Sequence, residues 1–243
     1  MPEPLQRVSL TDMAVDALIQ LIEERGLREN DALPSTADLA AELDVSRAVI
    51  REAIAELAGQ GLLERRQGRE TVITLPGARQ LEHLLRLRFA IQGRDLDDIQ
   101  AYREVAEVGA ARLAARNATA ADIEALEKRL AALRSVESDD ELHEADIAFH
   151  REVARAGGND MVLLTLDGIT PILKQLRVAA WHGWKRSGKG IEPIVEAHAV
   201  VLERIRLRDE AGAAAAMLEH LQQAREGLDV EATRVATRRT GRR

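Results

Sequence analysis

Hydrophobic positions recur at helical spacing along most of the chain, and one short stretch departs from this spacing. An amphipathic helix is predicted from Thr11 to about Arg25. Further along, Ile50, Ile54 and Leu57 follow the i, i+4, i+7 spacing that gives a helix one buried face. Two short strands come next, at about residues 62–66 and 70–75, with a turn at residues 67–68. The pattern therefore predicts helices that end in a β-hairpin.

Polar residues indicate where two of these helices begin. Ser35 has Asp38 three residues on, which is the capping pattern that satisfies free N–H groups at a helix start. Ser46 takes the N-cap position before the helix of Ile50. Asp44, between the two, tolerates the left-handed backbone of a tight turn. Two helices joined by a tight turn and followed by a hairpin predict a winged helix-turn-helix, which is a DNA-binding fold.

From residue 80 onward the spacing is helical throughout, and no segment alternates like a strand. Seven helices are predicted, with breaks at small and polar residues, one of them Gly183. They span roughly 80–92, 96–116, 120–136, 139–156, 160–182, 190–207 and 210–228. The expected fold class is mainly α: an N-terminal winged helix-turn-helix with a small β wing, and a C-terminal all-α antiparallel bundle of about seven helices.

The domain boundary is predicted at Pro76-Gly77, where two turn-forming residues follow the second strand. We expect the winged helix domain over residues 1–77 and the helical domain over residues 78–229. Residues 230–243 have five arginines, one acid and no apolar face, and we expect them to form a basic disordered tail.

The composition fits a globular protein with an aliphatic core. Hydrophobic residues make up 46% of the 243 residues and charged residues 31%, while aromatic residues are only 2%. No apolar run approaches the ~20 residues of a membrane span, and the N-terminus lacks the apolar core of a signal peptide. The absence of cysteine excludes disulfides and thiolate metal sites. We expect a cytoplasmic protein with no membrane partner.

The charge is acidic overall, but arginines cluster where a DNA-binding surface is expected. The net charge is −7, and residues 1–77 have eight arginines and no lysine against fourteen acidic residues. Guanidinium groups are well shaped to bind phosphate and the guanine edge. Five of the eight lie on the helix after Ser46 or on the wing: Arg47, Arg51, Arg65, Arg66 and Arg69. This small basic surface predicts a modest dependence of DNA binding on salt. A homodimer would present two such surfaces to the DNA.

Residues 33–72 resemble the DNA-binding domain of the GntR family of bacterial transcription regulators. The family pattern is Leu-Pro-Ser-Glu-Arg-x-Leu-Ala, then Val-Ser-Arg-x-x-Val-Arg-Glu-Ala, then Gly-Leu and a glycine-rich wing. The chain matches it at Leu33, Pro34, Ser35, Leu39, Ala40, Val45, Ser46, Arg47, Ile50, Arg51, Glu52, Ala53, Gly61 and Leu62. The resemblance implies that double-stranded operator DNA is bound by Ser35, Ser46, Arg47, Arg51, Arg65, Arg66, Gly68 and Arg69.

The match departs from the family pattern at three positions. Thr36 and Ala37 stand where the family has Glu-Arg, and Glu70 stands where the wing has a second glycine. Because the replaced arginine usually contacts DNA, we expect an operator that differs from the family's usual sequence. A winged helix that serves only protein contacts is the alternative.

Four side chains in the helical region have the spacing of a metal site. Asp146 and His150 are four residues apart and project from the same face of one predicted helix. His198 and His220 each lie eleven residues from the predicted turn near Asp209, so an antiparallel hairpin places them side by side about 16 Å from the turn. One carboxylate and three imidazoles suit Zn²⁺, Ni²⁺, Mn²⁺ or Fe²⁺. Taken alone, each pair is also compatible with an ordinary hydrogen bond.

The same region resembles the all-helical effector domain of the FadR-type subgroup of GntR regulators, the FCD domain. In that domain an Asp-x-x-x-His and two later histidines hold a metal ion, and the metal or its surroundings hold a small carboxylate. The resemblance implies that Asp146, His150, His198 and His220 hold a divalent metal ion, with Zn²⁺ as the first choice. It leaves out His143, which lies three residues before Asp146 on nearly the same face.

The resemblance also implies two ligand-binding residues. Arg103 matches an Arg-x-x-x-Glu of the second effector helix and suits a carboxylate, since a guanidinium binds it bidentately. An ordinary helix pair between Arg103 and Glu107 is the alternative. Asn159 matches the Gly-Asn of the family and is expected to cap the next helix and to face the ligand pocket.

Together these features predict a ligand-responsive transcription regulator. A homodimer would bind a pseudo-palindromic operator, and a small carboxylate metabolite would alter its DNA affinity. We expect a repressor of a sugar-acid or hydroxy-acid operon. The alternatives are a metal-dependent helical enzyme with an accessory DNA-binding domain, and a metal sensor without an organic ligand. The sequence has no phosphate loop or nucleophile motif to support the enzyme.

Overall fold

The computed structural model describes residues 9–66, 70–93 and 96–240, with side chains described as far as residue 233. The chain divides into two compact units, Met1–Gln80 and Leu81–Arg243. The described residues form ten helices and two strands: α1 (Leu10–Glu24), α2 (Thr36–Glu42), α3 (Arg47–Gly59), β1 (Leu63–Arg65), β2 (Thr71–Ile73), α4 (Ala78–Gln92), α5 (Leu96–Asn117), α6 (Ala120–Arg134), α7 (Asp139–Ala156), α8 (Asp160–Arg186), α9 (Glu192–Arg206) and α10 (Glu210–Thr240). The predicted fold class, mainly α with a small β wing, is confirmed.

Local capping fixes the helix-turn-helix of the first unit. The Ser35 side chain accepts a hydrogen bond from the Asp38 amide at the start of α2, and Ser46 accepts one from the Val49 amide at the start of α3. Asp44, in the turn between these helices, has a φ of 51°. Side-chain oxygens thus satisfy helix N–H groups that have no partner within the helix, and all three features agree with the sequence prediction.

The wing is a two-stranded antiparallel sheet in which Leu63 lies opposite Ile73. Ala32 adds an isolated bridge to Val72, so the segment before α2 lies along the hairpin. The strands are shorter than predicted, and the predicted turn at residues 67–68 lies outside the described residues. Helices and wing share one core, which includes Leu18, Leu39, Ile50, Ile54, Leu57, Leu63 and Ile73.

The second unit is all-helical, with α10 packed against α5, α8 and α9. Helix α7 packs against α5, α6 and α8. Small side chains bring these helices close together: α5 buries four of them, Ala110, Ala111, Ala114 and Ala115. Close contacts between aliphatic side chains therefore build the core of a chain with 2% aromatic residues.

Gly183 lies inside α8, so the predicted helix break at this residue is wrong. A Cβ atom at Gly183 would overlap the carbonyl oxygen of Gly227, and a Cβ atom at Gly227 would overlap the carbonyl oxygen of Ala180. The two glycines therefore allow α8 and α10 to approach through their backbones. Glycine therefore serves close packing at position 183, inside the helix.

The last helix is longer than the sequence pattern indicated. The backbone is helical as far as Thr240, whereas we expected the helix to end near residue 228 and a disordered tail to begin at Val230. From Val230 to Thr240 the chain has no glycine or proline. Because extending an existing helix needs no new nucleation, α10 continues beyond the part that packs. The predicted domain boundary at Pro76-Gly77 lies close to the division after Gln80.

No helix in the described part of the chain is both long enough and apolar enough to cross a membrane.

Candidate functional site

Three helices bring the four proposed metal ligands together in the second unit. Asp146 and His150 lie on α7, His198 on α9 and His220 on α10. Each offers one ligand atom, and the four atoms lie within 4.8 Å of one another. All four residues are buried, so the cluster lies in the interior of the second unit and not on its surface. His143, on the same helix as Asp146, is not one of the four.

The Nδ1 atoms of His198 and His150 contact acceptors outside the cluster, and these contacts orient the Nε2 atoms towards the other proposed ligands. His198 Nδ1 lies 2.7 Å from the carbonyl oxygen of Ile194, so Nδ1 carries the proton and donates it there. His150 Nδ1 contacts the carboxylate of Glu107 in the same way. In both residues the Nε2 lone pair is left to face the cluster, as in metal-binding histidines whose second nitrogen donates to a carbonyl or carboxylate.

The inward-facing nitrogen of His198 is an acceptor without a donor. His198 Nε2 lies 3.0 Å from Asp146 Oδ1, yet it has no hydrogen-bond donor among the described residues. His150 Nε2 lies 3.1 Å from His220 Nε2. The lone pair of His198 Nε2 that faces the Asp146 carboxylate in this buried space is unfavourable unless a cation lies between them. The residues therefore fit a divalent metal ion.

The charge state of the cluster also suits a cation. Burial, together with the neighbouring His198 and His150, holds the pKa of His220 well below its usual value, which keeps its imidazole neutral. Burial alone would raise the pKa of Asp146, but Arg177 and His150 hold it well below its usual value. A neutral imidazole and an ionised carboxylate are the forms that bind metals.

Arg103 lies next to the cluster and forms an ion pair with Glu107. Its Nε donates to Glu107 Oε1 at 2.7 Å, and its Nη1 donates to Gln100 Oε1 at 3.3 Å. Burial would raise the pKa of Glu107, but Arg103 and His150 hold it well below its usual value. The helix pair that sequence analysis considered as the alternative is therefore present, and it orients His150 through Glu107.

Arg177 is a buried residue of this site that sequence analysis missed. It lies on α8, and its Nε donates to Asp146 Oδ2. Its Nη1 and Nη2 are buried without a hydrogen-bond partner among the described residues. The sequence does contain a signal, since Arg177 follows Leu173 and precedes Trp181 by four residues each, on the buried face of the helix.

A cavity of about 60 Å³ adjoins the cluster. Its polar lining includes Arg103, His143, Asp146, Arg177, His220 and Gln223, and its apolar lining includes Trp181 and Trp184. Burial lowers the pKa of His143, so this imidazole is held in its neutral form at the cavity wall.

The structure does not bring Asn159 to this site. Asn159 is exposed, and its side chain accepts hydrogen bonds from the amides of Met161 and Val162 at the start of α8. Arg177 follows Asn159 by eighteen residues, or about 27 Å along the helix. The capping role expected of Asn159 is thus observed, while a ligand contact has no support from its position. His83 and His182 are exposed, as expected.

The proposed DNA-binding residues of the first unit lie on its surface. Arg47 and Arg51 are exposed one turn apart on α3, and Arg65 and Arg66 are exposed at the end of β1. Arg66 also donates a hydrogen bond to the side chain of Asn30. Ser35 and Ser46 cap α2 and α3. The wing residues Gly68 and Arg69 lie outside the described residues.

Both units match known protein families. Residues 10–73 match the family described as bacterial regulatory proteins, gntR family, and residues 98–223 match the FCD domain. The HTH-type transcriptional regulator LutR of Bacillus subtilis is 31% identical over 83% of this chain and 93% of its own. The HTH-type transcriptional repressor NanR of Citrobacter rodentium is 29% identical over 90% of this chain and 85% of its own.

A solved structure has the same fold. The structure of Streptococcus agalactiae GntR superposes with a TM-score of 0.67 at 28% sequence identity, over 88% of this chain and 98% of its own. Its similarity extends through both units, and the two family matches cover the same two units in the same order. The chain therefore belongs to the GntR family of bacterial DNA-binding transcription regulators, as a member with an FCD domain, and it is not an enzyme.

Proposed function

We propose that this regulator is a homodimeric repressor in which a small carboxylate, bound at or near a divalent metal ion in the second unit, alters the affinity of the first unit for a pseudo-palindromic operator. The regulated operon would serve sugar-acid or hydroxy-acid metabolism in the cytoplasm. The observation that carries this proposal is the buried convergence of one carboxylate and three imidazoles, where His198 Nε2 has no hydrogen-bond partner among the described residues.

Asp146, His150, His198 and His220 would hold the metal ion. Zn²⁺ is the first choice, and Ni²⁺, Mn²⁺ and Fe²⁺ accept similar ligands. When bound, the ion supplies a positive charge that attracts a carboxylate oxygen. The protein's own contribution is orientation: Glu107 and the Ile194 carbonyl fix two of the imidazole rings through their Nδ1 atoms.

The first unit would place α3 in the major groove of the operator, with Arg47 and Arg51 facing DNA. Both side chains are exposed, and the opposite face of α3 is buried in the core through Ile50, Ile54 and Leu57. A homodimer would place two such helices in successive grooves. Helix α4 supports dimerisation, since it exposes an apolar row of Leu84, Leu87 and Ile91 at 64%, 55% and 77%.

Two alternatives from the sequence are less well supported. The enzyme is set aside because residues 10–73 match bacterial regulatory proteins and the similar proteins LutR and NanR are named as transcriptional regulators. A pure metal sensor leaves Arg177 unexplained, since two of its guanidinium nitrogens are buried without a partner beside the proposed metal ligands. A buried cation with free donors favours an anionic ligand over a metal ion as the signal.

Metal analysis of the purified protein, followed by a thermal-shift screen of small carboxylates on the metal-loaded protein, tests the proposal. A ligand that binds the native state raises the melting temperature by mass action. Operator affinity is then measured by gel shift with and without each stabilising compound. The proposal predicts a bound divalent metal ion and at least one carboxylate that both stabilises the protein and alters DNA affinity. A carboxylate that is chemically converted and leaves DNA affinity unchanged would contradict it.

A further inference from the structure

Helix α4 is apolar on two sides and packs closely on neither. Leu81, Leu85 and Phe89 are spaced four residues apart on one side, and all three remain partly exposed. None of the residues of α4 is buried. Its backbone comes close to no other helix or strand in the described part of the chain. Within one chain, α4 is therefore held by a few side-chain contacts and lacks the close packing of the other helices in the second unit.

An open apolar groove lies beside α4. One wall is α4, with Leu85 and Phe89, and the other wall is α5 and α8, with Ile99, Ile169 and Ile172. Aliphatic and aromatic side chains that line an open groove are in contact with water, and their transfer to an apolar environment is favourable. The groove therefore favours an apolar occupant.

Hydrophobic side chains are also exposed on both sides of this groove. Val105 on α5 and Ile91 on α4 are 78% and 77% exposed, the highest values among the large hydrophobic residues that the structure describes. Val105 lies one turn after Tyr102, which lines the groove. On α4, Leu84 and Leu87 continue the row of Ile91 at 64% and 55%. A concentration of exposed apolar side chains of this kind marks an interaction surface.

The charges of this surface are complementary to each other. Helix α4 has three arginines and one glutamate, whereas α5 begins with Asp97 and Asp98. Arg88 and Asp98 both line the groove and are exposed, and neither forms an ion pair with another described residue. One face of the chain thus has a basic and an acidic side, together with an apolar row and an apolar groove. Such a face matches a second copy of itself related by a twofold axis.

A second copy accounts for more of this surface than a small molecule would. A small apolar ligand would fill the groove and leave the row of Leu84, Leu87 and Ile91 in water. A second copy would insert its row into the groove, and the twofold axis would place the first row in the groove of the second copy. Both apolar features would then be covered in one step, and the two charged sides would meet.

Building on the homodimer of the proposed function, we propose that the face formed by α4, α5 and α8 is the dimer interface. Leu84, Leu87 and Ile91 of each copy enter the groove of the other, and Arg88 of each copy pairs with Asp98 of the other. Helix α4 gains in the dimer the close packing that it lacks within one chain.

Sedimentation velocity of the full-length protein over a concentration series tests the apolar row. Leu87→Gln should raise the dimer dissociation constant by at least about a hundredfold, because each dimer loses two buried leucines. The fold should be unchanged, since Leu87 is exposed within one chain. Leu207→Gln is the matched control, because Leu207 is 59% exposed, follows α9 and does not line the groove.

An exchange of charges tests the ion pair between the copies. Arg88→Asp and Asp98→Arg should each weaken the dimer by at least about tenfold, since each variant places like charges together at two points of its dimer. An equimolar mixture of the two variants should dimerise with nearly the affinity of the parent protein. In the mixed dimer, both contacts again join an acid and an arginine. Mixing cannot repair a contact within one chain, so this result is specific to an interface.

Different results overturn different statements. A parent protein that dimerises, together with full dimer affinity in Leu87→Gln, would place the interface elsewhere and leave the homodimeric regulator standing. A weakened dimer in Leu87→Gln without recovery in the mixture would overturn the pairing of Arg88 with Asp98. An apolar small molecule found on the parent protein by native mass spectrometry, with Leu87→Gln still dimeric, would assign the groove to that molecule. A parent protein that stays monomeric at every concentration, with and without operator DNA, would overturn both this inference and the proposed homodimer.

Discussion

His198 on α9 and His220 on α10 face each other with their ring centroids 4.2 Å apart. Helix α9 ends at Arg206 and α10 begins at Glu210, so a short connection reverses the chain direction between them. Two residues at similar distances from such a turn lie at nearly the same height on neighbouring helices. This pairing depends on register alone, and it provides two of the four proposed metal ligands without any long-range information.

Loss of either histidine should empty the metal site. We expect His198→Ala and His220→Ala each to lower metal affinity by more than the ~10–100-fold that loss of a hydrogen bond to a metal ligand costs, because each removes a direct ligand. The measurement is metal content by mass spectrometry after dialysis. His143→Ala is the control, since His143 is buried nearby but lies outside the group of four. A site emptied by His143→Ala and filled in His220→Ala would show that the ligand set is wrong.

Residues that act through local chemistry could be predicted from the sequence. Ser35, Asp44 and Ser46 take the capping and turn roles expected of them, because those roles depend on neighbours within a few residues. Asp146 and His150 share a face of α7 because helical geometry alone places residues four apart together. The helix caps, the turn and each pair of proposed metal ligands could therefore be predicted without knowledge of the packing, while the joining of the two pairs into one set came from the family resemblance.

Residues whose role depends on packing between distant segments could not be predicted. Gly183 has the local signature of a helix break, and only the approach of Gly227 on α10 explains its presence within α8. The spacing of Arg177 with Leu173 and Trp181 indicates a buried position, but its contact with Asp146 depends on how α8 packs against α7. The ligand contact expected of Asn159 came from a motif match, which carries no information on how far the start of α8 lies from the cavity.

Arg51→Ala should weaken operator binding by about 1–3 kcal/mol, the range for a lost base or phosphate contact. Arg51 is exposed on α3, so its removal should leave the fold and the metal content unchanged. Gel-shift titration at fixed salt measures the effect. Arg28→Ala is the matched control, because Arg28 is an exposed arginine of the same unit that lies on neither α3 nor the wing. Equal operator affinities for the Arg51 and Arg28 variants would contradict the placement of α3 in the major groove.

Gly183→Ala should destabilise the second unit. The added methyl group would overlap the Gly227 carbonyl oxygen, and overpacking of this kind typically costs about 1–3 kcal/mol. The measurement is the free energy of unfolding by urea titration. Gly109→Ala is the matched control: Gly109 lies within α5 with no atom within 4 Å of the added Cβ, so it should gain about 0.4–1 kcal/mol. If the two variants had equal stability, the close approach of α8 and α10 would be in doubt.

The stability of the metal-free protein should fall as pH drops below 6.5. Burial, with His198 and His150 nearby, lowers the pKa of His220 in the folded state below the value of 6.5 expected for the unfolded chain. Between these two pKa values the unfolded state binds a proton that the folded state does not, so acid favours unfolding. The free energy of unfolding changes by at most about 1.4 kcal/mol per pH unit for one titrating group.

Urea titrations in the presence of a chelator, at several pH values between 5 and 7.5, measure this dependence. His220→Gln should flatten the curve, because glutamine does not titrate and still provides a neutral polar side chain at the site. His83→Gln is the matched control, since His83 is exposed on α4 and its removal should leave the slope unchanged. A slope of the same size in parent and His220→Gln would mean that the buried His220 imidazole is not the group that takes up the proton on unfolding.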